Sequence, residues 1–187
     1  MLNSLLIYRL IIINLIGLIG LGYAAWTGWV TYIVTGDSSH LVYVMAAMFV
    51  LFLVSLFIRA SKVSHVLDRH KAGQTVGISG TKFLEKNAHL DDFPTWITLM
   101  GLLGNVIGVA IALNAIHPAD LADAASTQQA MSRLMDGMHV AFTTTIAGCV
   151  LAFWAEVNRR VLKTATVLMV EDDKALLTDL RIKAAAK

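Results

Sequence analysis

The sequence predicts an all-α integral membrane protein with four transmembrane helices and cytoplasmic helical extensions, and three observations lead there. Of the 187 residues 57% are hydrophobic and only 15% are charged, with a mean hydropathy of +0.67, outside the usual range of soluble domains. The apolar residues fall in four long, nearly charge-free runs rather than in the short periodic stretches of a globular core. Almost every Lys and Arg lies in three of the five segments that flank those runs, the asymmetry that sets orientation in a membrane.

The first run extends from Leu10 to Gly36, between Arg9 and Asp37, and the second from Leu41 to Ile58, between His40 and Arg59. The third covers Phe93 to Ala119, and the fourth covers Gly137 to Ala155 with His139 as its one interruption. At ~1.5 Å per residue, helices of these lengths cross a hydrocarbon core about 30 Å thick. The first run is too long for a cleaved signal peptide, and Ala24-Ala25-Trp26 leads into further apolar sequence, so it is expected to remain in the mature protein. Cys149 is the single cysteine and lies inside the fourth run. A disulfide framework is thereby excluded, and the residue reads as a small apolar filler.

Arg9 precedes the first run, and the 37–40 connection carries no Lys or Arg. Arg59, Lys62, Arg69, Lys71, Lys82 and Lys86 occupy the middle segment. Only Arg133 separates runs three and four, whereas Arg159, Arg160, Lys163, Lys174, Arg181, Lys183 and Lys187 fill the tail. Because Lys and Arg are retained inside, both termini and the middle segment are expected in the cytoplasm, with the two short connections outside. The net charge of +2 is then a topology signal. No interleaving of basic and aromatic residues suggests nucleic-acid binding.

This organisation divides the chain into a peripheral helix pair at 1–58, a cytoplasmic helical loop at 59–92, a pore-lining pair with a short outer loop at 93–158, and a cytoplasmic tail at 159–187. In the loop, Ser61–Lys71 is helix-compatible, Gly73, Gly77 and Gly80 break it, and a second short helix starts near Thr81. Asp91 and Asp92 before Pro94 look like the first turn of the third spanning helix, where proline and negative charge are favoured. In the outer loop Pro118 is followed by Leu121 to Met135, with Ser126 or Thr127 as cap, which predicts a short amphipathic helix leading into span four. From Val157 onward the chain has neither glycine nor proline, so a helix or a broken pair is expected.

A membrane helix that moves ions usually carries an ionisable group, because burying its charge is costly. No Asp, Glu, Lys or Arg lies centrally in any run. A proton path would therefore need an acid from a partner. Span three reads Gly101-Leu-Leu-Gly104-Asn105-Val-Ile-Gly108, and such small-xxx-small spacing lets another backbone approach closely. Helix packing is the simplest reading of those glycines. Span four holds Thr143-Thr144-Thr145 ahead of Gly148. Three successive threonines cover about 200° of a helix, so at least one faces protein or water, as an interhelical contact or as a pore lining. Asn105 needs polar partners in hydrocarbon, and an interhelical clamp and a wet cavity both supply them.

For His139, near the end of span four, an interfacial hydrogen bond is favoured over titration in a relay. His65, His70 and His89 have no metal-site spacing, and no metal or other cofactor is expected. The glycines at 73–80 follow no strand, so nothing marks a phosphate loop, and no nucleophile elbow or zinc helix is present. The chain is not expected to be an enzyme.

At Gly101–Gly108 and at Gly137-Met-His-Val-Ala141-Phe-Thr-Thr-Thr145-Ile-Ala-Gly148 the sequence resembles the MotA/TolQ/ExbB proton-channel family. The likeness covers spans three and four, about a third of the chain. It implies a stator subunit of the bacterial inner membrane that converts ion-motive force into motion. Several copies, five by resemblance, would surround a MotB/TolR/ExbD-like single-span subunit carrying an intramembrane aspartate. Thr145 and Thr144 would line the ion path, with Thr145 facing the partner's acid. Asn105 would join them, at a position where the family usually has threonine. Gly101, Gly104, Gly108 and Gly148 would pack the helices, and the transported ion would be H⁺ or Na⁺. The contrasting reading is a non-transporting oligomeric scaffold, in which the same residues only pack subunits.

Overall fold

In a computed structural model of the protein, residues 2–71, 80–114 and 124–185 are described. All of their regular structure is helical: α1 (Leu2–Trp26), α2 (Trp29–Gly36), α3 (Leu41–Lys71), α4 (Gly80–Asn114) and α5 (Ala124–Ala185). Four stretches within them are long and apolar enough to cross a membrane, Leu6–Trp26, Leu41–Val66, Ala88–Asn114 and Ala125–Asp172. The chain is an all-α, multi-pass membrane protein.

Several boundaries differ from those the sequence suggested. The first apolar run is not one helix: α1 ends at Trp26, and Gly28 adopts φ +85° before α2 begins. That left-handed conformation is accessible to glycine without a Cβ penalty, and it turns the chain where hydropathy alone continues. The turn is flanked by Tyr23, Trp26, Trp29 and Tyr32, all exposed, a composition typical of membrane interfaces.

Pro94 does not start a helix but lies inside α4. Its ring removes one backbone donor, and the helix continues beyond it, with the Thr98 hydroxyl donating to the Pro94 carbonyl at 2.9 Å. Ser61–Lys71 is the continuation of α3 rather than a separate helix, and Gly80 opens α4. Gly73 and Gly77, like Pro118 and Leu121, lie outside the described residues. Ser126 and Thr127 fall inside the first turns of α5, and the tail prolongs span four as the same unbroken helix.

Packing divides the chain into two units. One comprises Met1–Gly17, Phe52–Phe93 and Ala155–Lys187. Its buried core includes Leu6, Leu10, Phe52, Leu56, Ala60, Val63, Leu90 and Leu162, with the Phe52 and Phe93 rings 5.6 Å apart. Two polar arrangements interrupt it. Asn14 Nδ2 donates to the Leu10 carbonyl at 2.8 Å and to Asn158 Oδ1 at 2.7 Å. Arg159 bridges Asp91 at 2.7 Å and Glu156 at 2.7 Å, with Lys163 on Asp91 and Arg160 on Glu156. These charges lie just beyond the two charge-free runs, at Phe93 and Ala155, and tie α4 to α5.

The other unit comprises Leu18–Leu51 and Pro94–Trp154. In it the Phe49 and Trp154 rings pack 4.9 Å apart. Asp37, buried, accepts from the backbone N–H groups of Ser39 and Val42 and from the Ser39 hydroxyl. The Val42 N–H lies in the first turn of α3, where donors lack helical acceptors, so the carboxylate caps that helix.

Candidate pore-lining helix pair

Within the second unit α4 and α5 meet along two stripes of small residues. On α4 the buried positions are Ile97, Gly101, Gly104, Gly108 and Ala112, and on α5 they are Gly137, Val140, Ala141, Thr144, Gly148 and Ala152. Apart from the adjacent Val140 and Ala141, successive members are three or four apart, so each set occupies one helix face.

The contact is made of four steps. A Cβ placed on Gly148 would stand 2.9 Å from the Gly101 Cα, and one on Gly104 would stand 2.6 Å from Thr144 Oγ1. A Cβ on Gly108 would stand 2.7 Å from the Ala141 Cα, and one on Gly137 would stand 2.6 Å from the Ala112 Cα. Numbers rise along α4 while they fall along α5, so the two helices run antiparallel. Each step has a glycine on one side, and the backbones approach as closely as small-residue membrane interfaces allow.

All three threonine hydroxyls bond within their own helix. Thr143 donates to the His139 carbonyl at 2.9 Å, Thr144 to Val140 at 2.8 Å and Thr145 to Ala141 at 2.8 Å. Their hydrogen-bonding need is thereby met without a second helix. Burial separates them: Thr143 and Thr144 have 2% and 0% of their surface accessible, and Thr145 is half-buried. Thr144 spends its surface on Gly104. The sequence grouped it with a pore lining; within the subunit its side chain packs into the contact between α4 and α5.

Asn105 and Thr145 are the half-buried polar residues beside that contact. Each follows a member of the Gly104–Thr144 step, and one residue rotates a helix by about 100° while advancing it ~1.5 Å. Because the helices are antiparallel, the two rotations turn toward the same edge of the pair. Asn105 and Thr145 therefore share one edge at nearly one level, with the glycine contact between the helices behind them.

His139 lies where α2 meets α5. Its Nδ1 and the Tyr32 hydroxyl are 2.9 Å apart, and the two rings meet edge to face at 4.4 Å. This is the interfacial hydrogen bond that its place near the end of span four suggested. Sequence reasoning missed Tyr32 as its partner. It also passed over the Asn14–Asn158 pair, although Asn14 is conspicuous as an amide inside an otherwise apolar run. No group of three or more His, Cys, Asp or Glu residues suited to a metal occurs among the described residues.

Much of the outward surface is apolar. Leu102, Val106, Val109 and Leu113 on α4 and Phe142, Ile146, Val150 and Phe153 on α5 are all exposed. Such extended apolar surface calls for lipid or other helices as its surroundings. The fold and the pair define a multi-pass helical membrane protein whose last two spans form a close antiparallel unit. The model of the MotA/TolQ/ExbB proton channel family matches residues 78–172, which span α4 and most of α5 and make up about half of the chain. The chain belongs to that family. Comparison with curated proteins and with solved structures returns no match.

Proposed function

We propose that this protein is the channel-forming stator subunit of an ion-driven motor in the bacterial inner membrane. In this reading several copies, five by family likeness, surround the membrane helix of a single-span partner that carries an intramembrane aspartate. The shared edge of Asn105 and Thr145 carries the reading. It sets two half-buried polar side chains beside exposed apolar positions of the pair, Leu102 and Val106 on α4 and Phe142 and Ile146 on α5, and the runs contain no acid of their own.

The partner's carboxylate would run along this edge. When it is charged, the Asn105 amide and the Thr145 hydroxyl lower the desolvation cost of the anion, the main barrier to holding a charge at membrane depth. When it is neutralised by H⁺, or screened by Na⁺, the attraction weakens and the acid moves on to the next copy. Relative rotation follows. The chain itself needs no cofactor and forms no covalent intermediate. Both termini would face the cytoplasm, where the Lys and Arg of the 59–92 segment and the tail remain.

A second reading, a non-transporting scaffold, is favoured by the self-contained bonding of all three threonine hydroxyls. Purifying the complex through a tag on this chain and measuring ion flux of the wild type and of Thr145→Val separates the two. The channel reading expects a co-purifying single-span protein with a membrane aspartate and a flux lost in the variant. A homo-oligomer without such a partner and without flux would establish the scaffold, whereas unchanged flux in Thr145→Val would overturn the assignment of Thr145 to the ion path.

A further inference from the structure

Where α5 leaves its charge-free run at Ala155, it carries more positive charge than its ion pairs use. Arg159 alone reaches both acids of the cluster. Its Nη1 donates to Asp91 Oδ1 at 2.7 Å, and its Nε and Nη2 donate to the two oxygens of Glu156 at 2.7 and 2.8 Å. Arg160 and Lys163 add one bond each, Nε to Glu156 Oε1 at 2.9 Å and Nζ to Asp91 Oδ2 at 3.3 Å. Their side chains are 77% and 53% exposed. The two terminal nitrogens of Arg160 meet no acceptor among the described residues, and an ammonium has three donors, of which Lys163 uses one.

We propose that Arg160 and Lys163 bind the phosphate of an anionic phospholipid in the leaflet at this end of α5. The two residues are three apart, so they share one side of the helix. They stand ~8 and ~12 Å beyond Ala155 along the axis. Helical side chains lean toward the N-terminus of their helix, which for this part of α5 is the membrane side. Both heads therefore reach back toward the headgroup layer, which extends about 5–8 Å past the hydrocarbon on each side. Glu156 holds Arg160 by its Nε and leaves the fork of the guanidinium open, and such a fork matches a phosphate oxyanion.

The charge balance selects the lipid. Three cations face two carboxylates in the cluster, and from Ala155 to Val170 the sequence of α5 adds no further charge. Nearby, Lys62 on α3 and Asp92 on α4 are exposed, and Arg59 lies 3.2 Å from His89. A net-negative headgroup meets the surplus cation without bringing one of its own, whereas the choline of a zwitterionic lipid adds a positive charge beside Arg160 and Lys163. The position at headgroup level favours lipid over a soluble phosphate. The inference is independent of ion transport and applies to a channel and to a scaffold alike.

Native mass spectrometry of the purified full-length complex, released from micelles that contain equal amounts of phosphatidylglycerol and phosphatidylcholine, tests this. The wild type should retain phosphatidylglycerol in preference by roughly five-fold for each of the two cations. Arg160→Gln should lower the ratio about five-fold, and Arg160→Gln with Lys163→Gln should bring it close to one. If the double variant does not fold without the Lys163 bond to Asp91, Arg160→Gln alone decides. Equal retention of the two lipids by the wild type would overturn the proposal, as would a preference that survives unchanged in Arg160→Gln. Displacement of the lipid by millimolar inorganic phosphate, but not by sodium chloride at the same ionic strength, would also overturn it and assign the site to soluble phosphates.

Discussion

Gly104 and Thr144 occupy space that only one side chain can fill: a Cβ on the glycine would lie 2.6 Å from both the Thr144 Cβ and its Oγ1. The threonine covers the glycine backbone and has no accessible surface left. This step sets how closely α4 and α5 approach, and from it follows the position of Asn105 and Thr145 on the neighbouring edge.

Replacing Gly104 with alanine should therefore force the helices apart or drive Thr144 off its rotamer, at a cost of about 1–3 kcal/mol for overpacking. The same change at Gly101 meets the Gly148 Cα at 3.2 Å and should cost less. Thr144→Ser or Thr144→Ala should partly rescue Gly104→Ala, with a coupling of about 0.5–3 kcal/mol between the two sites. Unfolding of the purified variants in detergent measures all three, and equal destabilisation at 101 and 104 would contradict the order.

Asn14→Leu should destabilise more than the area it changes suggests. Asn158 has no accessible surface and would lose the donor that reaches its Oδ1 at 2.7 Å, and weakening a buried polar pair from one side costs about 1–3 kcal/mol. Asn14→Leu combined with Asn158→Leu should lie closer to the wild type than the sum of the single changes, because both partners are then apolar. Additive losses in a double-mutant cycle would show that the two amides do not act as a pair.

Arg159→Gln and Arg160→Ala should differ sharply although the residues are neighbours. Arg159 has only 20% of its side chain exposed and bridges two carboxylates, whereas Arg160 is 77% exposed and reaches one. Loss of the first removes the shorter of two links from α5 to Asp91 on α4, leaving Lys163 at 3.3 Å, and should lower stability by about 1.5–3 kcal/mol, the range for hydrogen bonds to charged groups. Loss of the second should stay within about 0.5 kcal/mol, as for exposed pairs generally. Thermal melts at low and high salt provide the comparison, and similar shifts for both variants would rule out the bridging role.

Thr145→Val should leave assembly and stability nearly intact, within about 1 kcal/mol, because the lost hydroxyl bonds only the Ala141 carbonyl of its own helix. If the edge it shares with Asn105 carries ions, flux or motor output falls while the melting temperature does not. A parallel loss of both would make Thr145 a packing residue.

Much of this protein was determined by composition and spacing alone. Four apolar runs, the bias of Lys and Arg, and glycines three and four apart in span three specify a membrane bundle and the face on which α4 packs, because lipid tolerates only helices with satisfied backbones and the helical period assigns residues to faces. Tertiary structure decided what depends on partners distant in sequence. The break at Gly28 rests on a backbone angle that hydropathy does not encode. Three successive threonines looked alike until α4 covered Thr144 and left Thr145 on the edge. Asn14 meets Asn158, and Tyr32 meets His139, across more than a hundred residues. Local sequence sets which face a side chain belongs to, and only packing selects the neighbour that the face meets.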